Sequence, residues 1–326
     1  MVILKRAVLR LLKEFQPEFV SGEDICKKLD VTRTAVWKHI QTLREDGYGI
    51  DARPRAGYSL VRVPDRLYAE EILDGLNSKF FGQQVYYYDS VSSTNDMAKE
   101  LVRQGARDGS IVVAEEQTGG KGRLGRKWHS PKYKNVCFSV ILYPSVNPSE
   151  ASQMTMVTAV ALALAVRKKT GVPVGIKWPN DLFVGGRKIC GILTEMSAEL
   201  DRIDYLVVGA GLNVNQELIE LPEEVRDIAT SLKVETGAEL ARVDLLQAML
   251  EEYEQWYQLW LEQGFPVVLA KWKELSVSLH CPVRVHTLNK SWEGWAEDVD
   301  YDGALLLRLP DGGLQRLIVG DVSLRV

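Results

Sequence analysis

Residues 117–131 read QTGGKGRLGRKWHSP, and within them Gly120-Lys121-Gly122-Arg123-Leu124-Gly125 satisfies G-x-G-x-x-G. The pattern alone is weak, because 26 of the 326 residues are glycine. A dinucleotide-binding turn follows a strand, opens a helix and meets a carboxylate about 20 residues on. Here SIVVAEEQ upstream reads as a strand, but RKWHSPKYKNVCFSVILY follows the glycines. Ser130-Pro131 disfavours a helix, and Val136, Phe138, Val140 and Leu142 alternate like a second strand. Val140-Ile141-Leu142 stand where the acid belongs. A P-loop is excluded for want of Gly-Lys-Ser/Thr, and a kinase glycine loop lacks its His-Arg-Asp and Asp-Phe-Gly partners. What remains is a strand-to-strand loop with four glycines, four cations (Lys121, Arg123, Arg126, Lys127) and Trp128. Glycines let backbone N–H groups approach an anion, and guanidinium groups grip phosphate bidentately, so the loop reads as a phosphate site.

Upstream, QQVYYYDSVSSTNDMAKELVRQGA gives a strand, a polar turn and a helix ending near Gly105. Ser93, Thr94 and Asn95 sit at that helix N-terminus. These residue types suit helix capping, and they equally suit a polar ligand held by hydroxyls and backbone N–H groups. Downstream, a helix over about 149–169 is apolar almost all round and must be buried, with Gly171 ending it. VGIKWPNDLFVGGRKICGILTEMS then reads as strand, Pro-Asn-Asp turn, hairpin and strand. Lys188 enters that last strand beside Ile189, Ile192 and Leu193, a costly place for a cation unless it meets an anion. YLVVGAGLNVN adds a further strand leading into Gly209, Gly211 and Asn213.

A chain of this length exceeds what one core usually serves, and its 46% hydrophobic and 26% charged content is that of a globular protein. The opening MVILKRAVLRLLKEF carries Lys5, Arg6, Arg10 and Lys13, so it is not read as a signal peptide. No run approaches about 18 uncharged apolar residues, so no membrane span is expected. Cys26, Cys137, Cys190 and Cys281 are scattered, which suggests neither disulfides nor a zinc site and fits a reducing cytoplasm. The net charge of −4 is uneven: residues 1–63 hold 12 Lys/Arg against 8 Asp/Glu, while the remainder carries −8. A polyanionic partner is therefore sought for the first module.

That module is legible. Ile3, Leu4, Ala7, Val8, Leu11, Leu12 and Phe15 fall at helical spacing. Ser21 is placed to cap a short helix running to about Leu29, and Thr32 to cap another that buries Val36, Ile40 and Leu43. Two short helices joined by a tight turn, the second basic, resemble a helix-turn-helix. Arg33, Thr34, Lys38 and Gln41 lie away from the buried stripe, as base- and phosphate-contacting residues would. YGIDARPRAGYSLVRV reads as a wing with Arg53 and Arg55 at its tip, and Pro64-Asp65 marks the boundary. The reading predicts a DNA-binding domain over 1–64, a central domain over 65–275, and a small β-barrel over 276–326. The barrel is inferred from the short strands PVRVHTL, SWEGWAEDV, GALLLRLP and LQRLIVGDVSLRV.

Taken together, Gly120-Lys121-Gly122-Arg123-Leu124-Gly125-Arg126-Lys127-Trp128, Lys177-Trp178-Pro179-Asn180-Asp181 and Arg187-Lys188-Ile189-Cys190-Gly191-Ile192-Leu193 resemble bacterial biotin protein ligases. With the N-terminal reader, the chain is similar to the bifunctional form that also represses the biotin operon. The resemblance implies an α/β multi-domain fold: a winged helix-turn-helix, a class II synthetase-like mixed sheet with helices, and an SH3-like C-terminal barrel. It implies ATP with Mg²⁺ and biotin as substrates, no tightly bound metal, a biotin carboxyl carrier protein as acceptor, operator DNA, and a homodimer with biotinyl-5′-AMP as corepressor. By the same resemblance Ser93, Thr94, Asn95 and Gln117 contact biotin, and Lys121, Gly122, Arg123, Arg126, Trp128 and Gly191 surround the adenylate. Lys188 and Arg123 are the catalytic pair, and Asn180, Asn213 and Arg325 lie near the nucleotide. Lys121 departs from the more usual arginine, and Leu124 stands where the best-known member has a further arginine. An edge strand around Tyr205–Val208 is expected to serve the dimer. A lipoate–protein ligase and a ligand-sensing transcription factor without turnover are the rival readings.

Overall fold

The computed structural model describes residues 2–199, 202–287, 290–318 and 320–324, which form two compact units, Met1–Arg66 and Leu67–Val326. In the first unit, α1 (Val2–Phe15) buries Val8, Leu9, Leu11 and Leu12. α2 (Gly22–Leu29) begins at Ser21, whose side chain accepts from Asp24 N–H at 3.0 Å, and ends at Asp30 in the left-handed region. α3 (Arg33–Glu45) begins at Thr32, which accepts from Ala35 N–H at 3.3 Å, and buries Val36, His39, Ile40 and Leu43. Both helix starts therefore follow from local capping chemistry. β1 (Gly49–Arg53) and β2 (Gly57–Arg62) close as an antiparallel hairpin, completing a winged helix-turn-helix.

The second unit runs through α4 (Ala69–Leu73), β3 (Val85–Tyr88), α5 (Thr94–Arg103), β4 (Ile111–Ala114), β5 (Asn135–Leu142) and α6 (Ala151–Thr170). β6 (Gly175–Lys177), β7 (Asp181–Val184), β8 (Arg187–Ala198), β9 (Ile203–Asn213), α7 (Leu232–Thr236), α8 (Arg242–Gln263) and α9 (Phe265–Leu275) follow. Seven of these strands make one mixed sheet in the order β3-β4-β5-β9-β8-β7-β6, in which only the β3–β4 pairing is parallel. β10 (Pro282–His286), β11 (Ser291–Val299), β12 (Leu305–Arg308), β13 (Leu314–Leu317) and β14 (Asp321–Leu324) form an antiparallel sheet in the order β13-β12-β11-β10-β14. By contact, this C-terminal sheet belongs to the same unit as the mixed sheet.

β5 shows how the sheet divides the unit. Val136, Phe138, Val140 and Leu142 face the large core built with α6, α8 and α9, whereas Ile141 joins Ala98, Leu101, Val112 and Val207 beneath α5. The α5 face carries the candidate site. By length and composition alone, Pro148–Thr170 is long and apolar enough to cross a membrane. It is instead the buried core helix that its all-round apolar surface predicts, with 72% of its most apolar 18-residue window buried. The expected edge at Tyr205–Val208 is corrected: β9 pairs with β5 on one side and β8 on the other, so its ladder groups are already used.

Candidate active site

At the start of α5, Ser93 is extended (φ −156°, ψ 136°), yet its side chain makes no capping bond. The capping alternative is therefore corrected. Gln117 Oε1, from the strand-to-strand loop, accepts from Thr94 N–H at 2.8 Å and from the Thr94 hydroxyl at 3.1 Å. Ser139 Oγ on β5 lies 2.8 Å from Thr94 Oγ1 and 2.6 Å from Asn95 Oδ1, while Asn95 Nδ2 donates to Leu193 O and to Glu195 Oε2. Ser93, Thr94 and Asn95 are each only 3% exposed. Gly209 makes this approach possible, since a Cβ there would stand 2.1 Å from Asn95 Oδ1.

The glycine loop is a folded object. Gly122 N–H donates to Arg126 O at 2.7 Å, Trp128 N–H donates to Gly120 O at 2.9 Å, and Lys121 bridges to Lys127 across the loop. At its tip Leu124 is 58% exposed and held at φ 55°, a left-handed conformation that costs a branched residue energy. Trp128 folds back over a glycine platform. Gly191 and Gly211 are register partners on β8 and β9, and a Cβ at Gly211 would fall 2.4 Å from the Trp128 Nε1.

Three of the cations meet specific partners. Lys121 Nζ is 2.6 Å from Asp96, Arg123 donates to Asn180 Oδ1 at 3.0 Å and to Gly320 O at 3.2 Å, and Lys188 Nζ is 2.6 Å from Asp181. Lys188 Nζ also stands 5.5 Å from the centre of the Trp128 ring, and its side chain is 30% exposed. The anion expected for Lys188 is thus Asp181 in this structure. Burial pushes Asp96 up, but contacts with Lys121 and Lys99 outweigh it and hold the carboxyl below its ordinary range. Lys121, Gly122, Arg123, Leu124 and Gly125 line a cavity of about 450 Å³ together with Leu193, Glu195, His286, Thr287 and Gly320. Asn180 Nδ2 is committed to Ile192 O, and Asn213, 4% exposed, bonds Thr230 O and Asn135. Arg325 lies outside the described residues.

Residues that sequence reasoning did not single out complete the frame. Arg242 on α8 donates to Glu115 at 2.6 Å and to Asn135 O, with both charged side chains fully buried. That pair ties the end of β4 to the start of β5, the two ends from which the glycine loop springs. Asp96, Asp181, Ser139 and Glu195 act as the counter-groups. Burial pushes the Cys137 and Cys190 thiols up, which removes either as a ready thiolate. Among the described residues, no group of three or more His, Cys, Asp or Glu side chains is arranged to hold a metal ion.

In the first unit Arg33, Thr34 and Lys38 are exposed on α3, Gln41 is half-buried, and Arg53 and Arg55 are exposed at the hairpin tip. Arg33, Arg53 and Arg55 line one groove of about 570 Å³ between α3 and the wing.

Comparison with known proteins agrees with this geometry. The Biotin/lipoate A/B protein ligase family matches residues 87–213, an HTH domain family matches residues 5–59, and the Biotin protein ligase C terminal domain matches residues 282–325. The chain is 38% identical over 321 residues to the bifunctional ligase/repressor BirA of Bacillus subtilis (strain 168), covering 98% of each. The chain belongs to the biotin/lipoate A/B protein ligase family. It is also 32% identical over 227 residues to the biotin–[acetyl-CoA-carboxylase] ligase of Paracoccus denitrificans, covering 68% of this chain and 92% of that one. Among solved structures, the biotin protein ligase from Aquifex aeolicus in complex with biotin and ATP superposes with a TM-score of 0.65 at 30% identity, over 74% of this chain and 99% of that one.

Proposed function

We propose that this protein is an ATP-dependent biotin protein ligase that also represses transcription as a DNA-binding protein. The observation that carries the reading is the placement of two cations by neighbouring residues: Asn180 holds Arg123 and Asp181 holds Lys188. Arg123 stands on the glycine loop and Lys188 on β8, beside Trp128 of that loop, while the half-buried Gln117 at the start of the loop holds Thr94. Similarity to the ligase/repressors over nearly the whole chain supports it.

The chemistry follows from these groups. A carboxylate resists amine attack until it gains a leaving group. An oxygen of the biotin carboxylate attacks the α-phosphorus of ATP, the bond to the β-phosphate bridging oxygen breaks, and pyrophosphate departs with the electron pair. Lys188 and Arg123 stabilise the charge that develops on the phosphoryl oxygens, exchanging Asp181 and Asn180 for the substrate. Mg²⁺ arrives as the ATP complex. Ser93, Thr94, Asn95 and Gln117 bind the biotin end. Lys121, Gly122, Arg126, Trp128 and Gly191 enclose the adenylate, and Asn180 and Asn213 support the nucleotide side. An acceptor lysine then attacks the acyl carbon as the free amine, AMP leaves, and the amine proton passes to solvent. With both nearby thiols protonated, no thioester step enters.

The acceptor is a biotin carboxyl carrier protein, of acetyl-CoA carboxylase or of pyruvate carboxylase. Biotinyl-5′-AMP acts as corepressor through a homodimer on operator DNA in the cytoplasm. Labelled biotin, ATP and Mg²⁺ incubated with the full chain and a biotin carboxyl carrier domain tests the reading. It predicts amide-linked label on one lysine of that domain, with none from labelled lipoate. Equal labelling from lipoate, or none from either acid, contradicts it.

A further inference from the structure

The outward face of α3 carries a residue that the DNA-binding reading has not used. Trp37 is 56% exposed, unlike Val36, Ile40 and Leu43 of the same helix, which are at most 1% exposed. Helical spacing sets Arg33, Trp37 and Gln41 in one row at i, i+4 and i+8, with Thr34 and Lys38 in the row beside it. A single exposed aromatic means little by itself. This one stands in the middle of a basic and hydrogen-bonding strip, next to a groove lined by Arg33, Arg53 and Arg55. Those guanidinium groups supply charge complementarity to a phosphate backbone.

We infer that Trp37 is a specificity-determining residue, whose indole meets a thymine C5-methyl group in the major groove. The inference rests on the proposed DNA-binding role of the first unit. The major groove displays that methyl as its one apolar feature, so an apolar side chain flanked by phosphate-gripping cations is suited to read it. The occupant is duplex DNA, with at least one thymine in each half-site facing the middle of α3. Phosphate contacts by Arg33, Lys38, Arg53 and Arg55 fix the register, and Trp37 contributes sequence preference.

Selection from a random duplex library by the full chain, with biotin, ATP and Mg²⁺ present, tests this in parallel for the wild type and W37A. Wild type is expected to enrich a sequence with a thymine that W37A no longer selects. In the enriched duplex, replacing that thymine by uracil deletes only the methyl. The exchange should weaken wild-type binding roughly 5- to 10-fold and leave W37A unchanged, with the same salt dependence for both proteins. Enrichment of the same sequence by both proteins, or a wild type indifferent to the methyl, overturns the inference while leaving DNA binding intact. Failure of the wild type to enrich any duplex overturns the DNA-binding reading and this inference with it. Trp37 lies on the surface, and unchanged thermal unfolding of W37A separates loss of reading from loss of fold.

Discussion

The protein presents two cationic surfaces, and they are built differently. In the second unit Lys121, Arg123 and Lys188 are each fixed by a neighbour at 2.6–3.0 Å, the first two on a loop sprung from a fully buried ion pair and the third on strand β8. On the first unit Arg33 reaches Glu23 only at 3.4 Å, with the side chains 79% and 55% exposed, and Arg53 is 65% exposed beside Asp51. A site that stabilises one phosphoryl centre needs charges positioned before the reaction, in a partly dry cleft. A surface that follows a phosphate backbone needs charge that can adjust, and gains affinity by releasing counterions. The same residue types therefore carry different physics according to what holds them.

Salt separates the two most widely. Between 50 and 200 mM salt, DNA binding by the full chain should fall roughly 100-fold or more, as expected for several phosphate contacts. The biotin activation step should change only a few-fold, since partly buried groups are weakly screened. Parallel falls would erase the distinction. Next in size, Arg242→Met leaves Glu115 buried without its partner and should cost about 3–5 kcal/mol of stability in the second unit. Denaturant unfolding measures it, and adding Glu115→Gln should recover part of the loss. A neutral Arg242→Met would mean the loop base does not depend on that pair. Smallest is Asp96→Asn. The Lys121 pair is half exposed, so it is worth about 0.2–1 kcal/mol and its loss should raise the KM for ATP roughly 2- to 5-fold with kcat nearly unchanged. Tighter ATP binding would show instead that Asp96 competes with the phosphate. Because the Asp96 carboxyl is held below its ordinary range, the contact persists at neutral pH and is lost only as pH falls through that lowered value.

What the sequence disclosed was local or stepwise. Ser21 and Thr32 announce helices because a capping hydroxyl acts three residues away, and the glycine loop excludes a nucleotide-binding helix through the Ser-Pro and alternating residues just after it. Sheet order was not legible in this way: β9 looks like any other apolar strand, and only pairing partners far along the chain put it between β5 and β8. The counter-groups were hidden for the same reason. Asp96 lies 25 residues from Lys121, and Glu115 lies 127 from Arg242. No periodicity links such positions. Asp181 was the exception within reach, since it directly follows Asn180 in a motif that also supplies the partner of Arg123. Ser93 shows the limit of propensity, because a good capping residue left the cap to Gln117 from another segment.

The central claim is that Lys188 and Arg123 form an adenylation centre for biotin. Exchange of labelled pyrophosphate into ATP, driven by biotin and compared between the wild type and Lys188→Ala, tests it most directly. The account predicts exchange that requires biotin, is absent with lipoate, and falls roughly 100-fold or more in the variant. Exchange that survives Lys188→Ala undiminished would contradict the assigned centre, and no exchange with biotin would contradict the ligase itself.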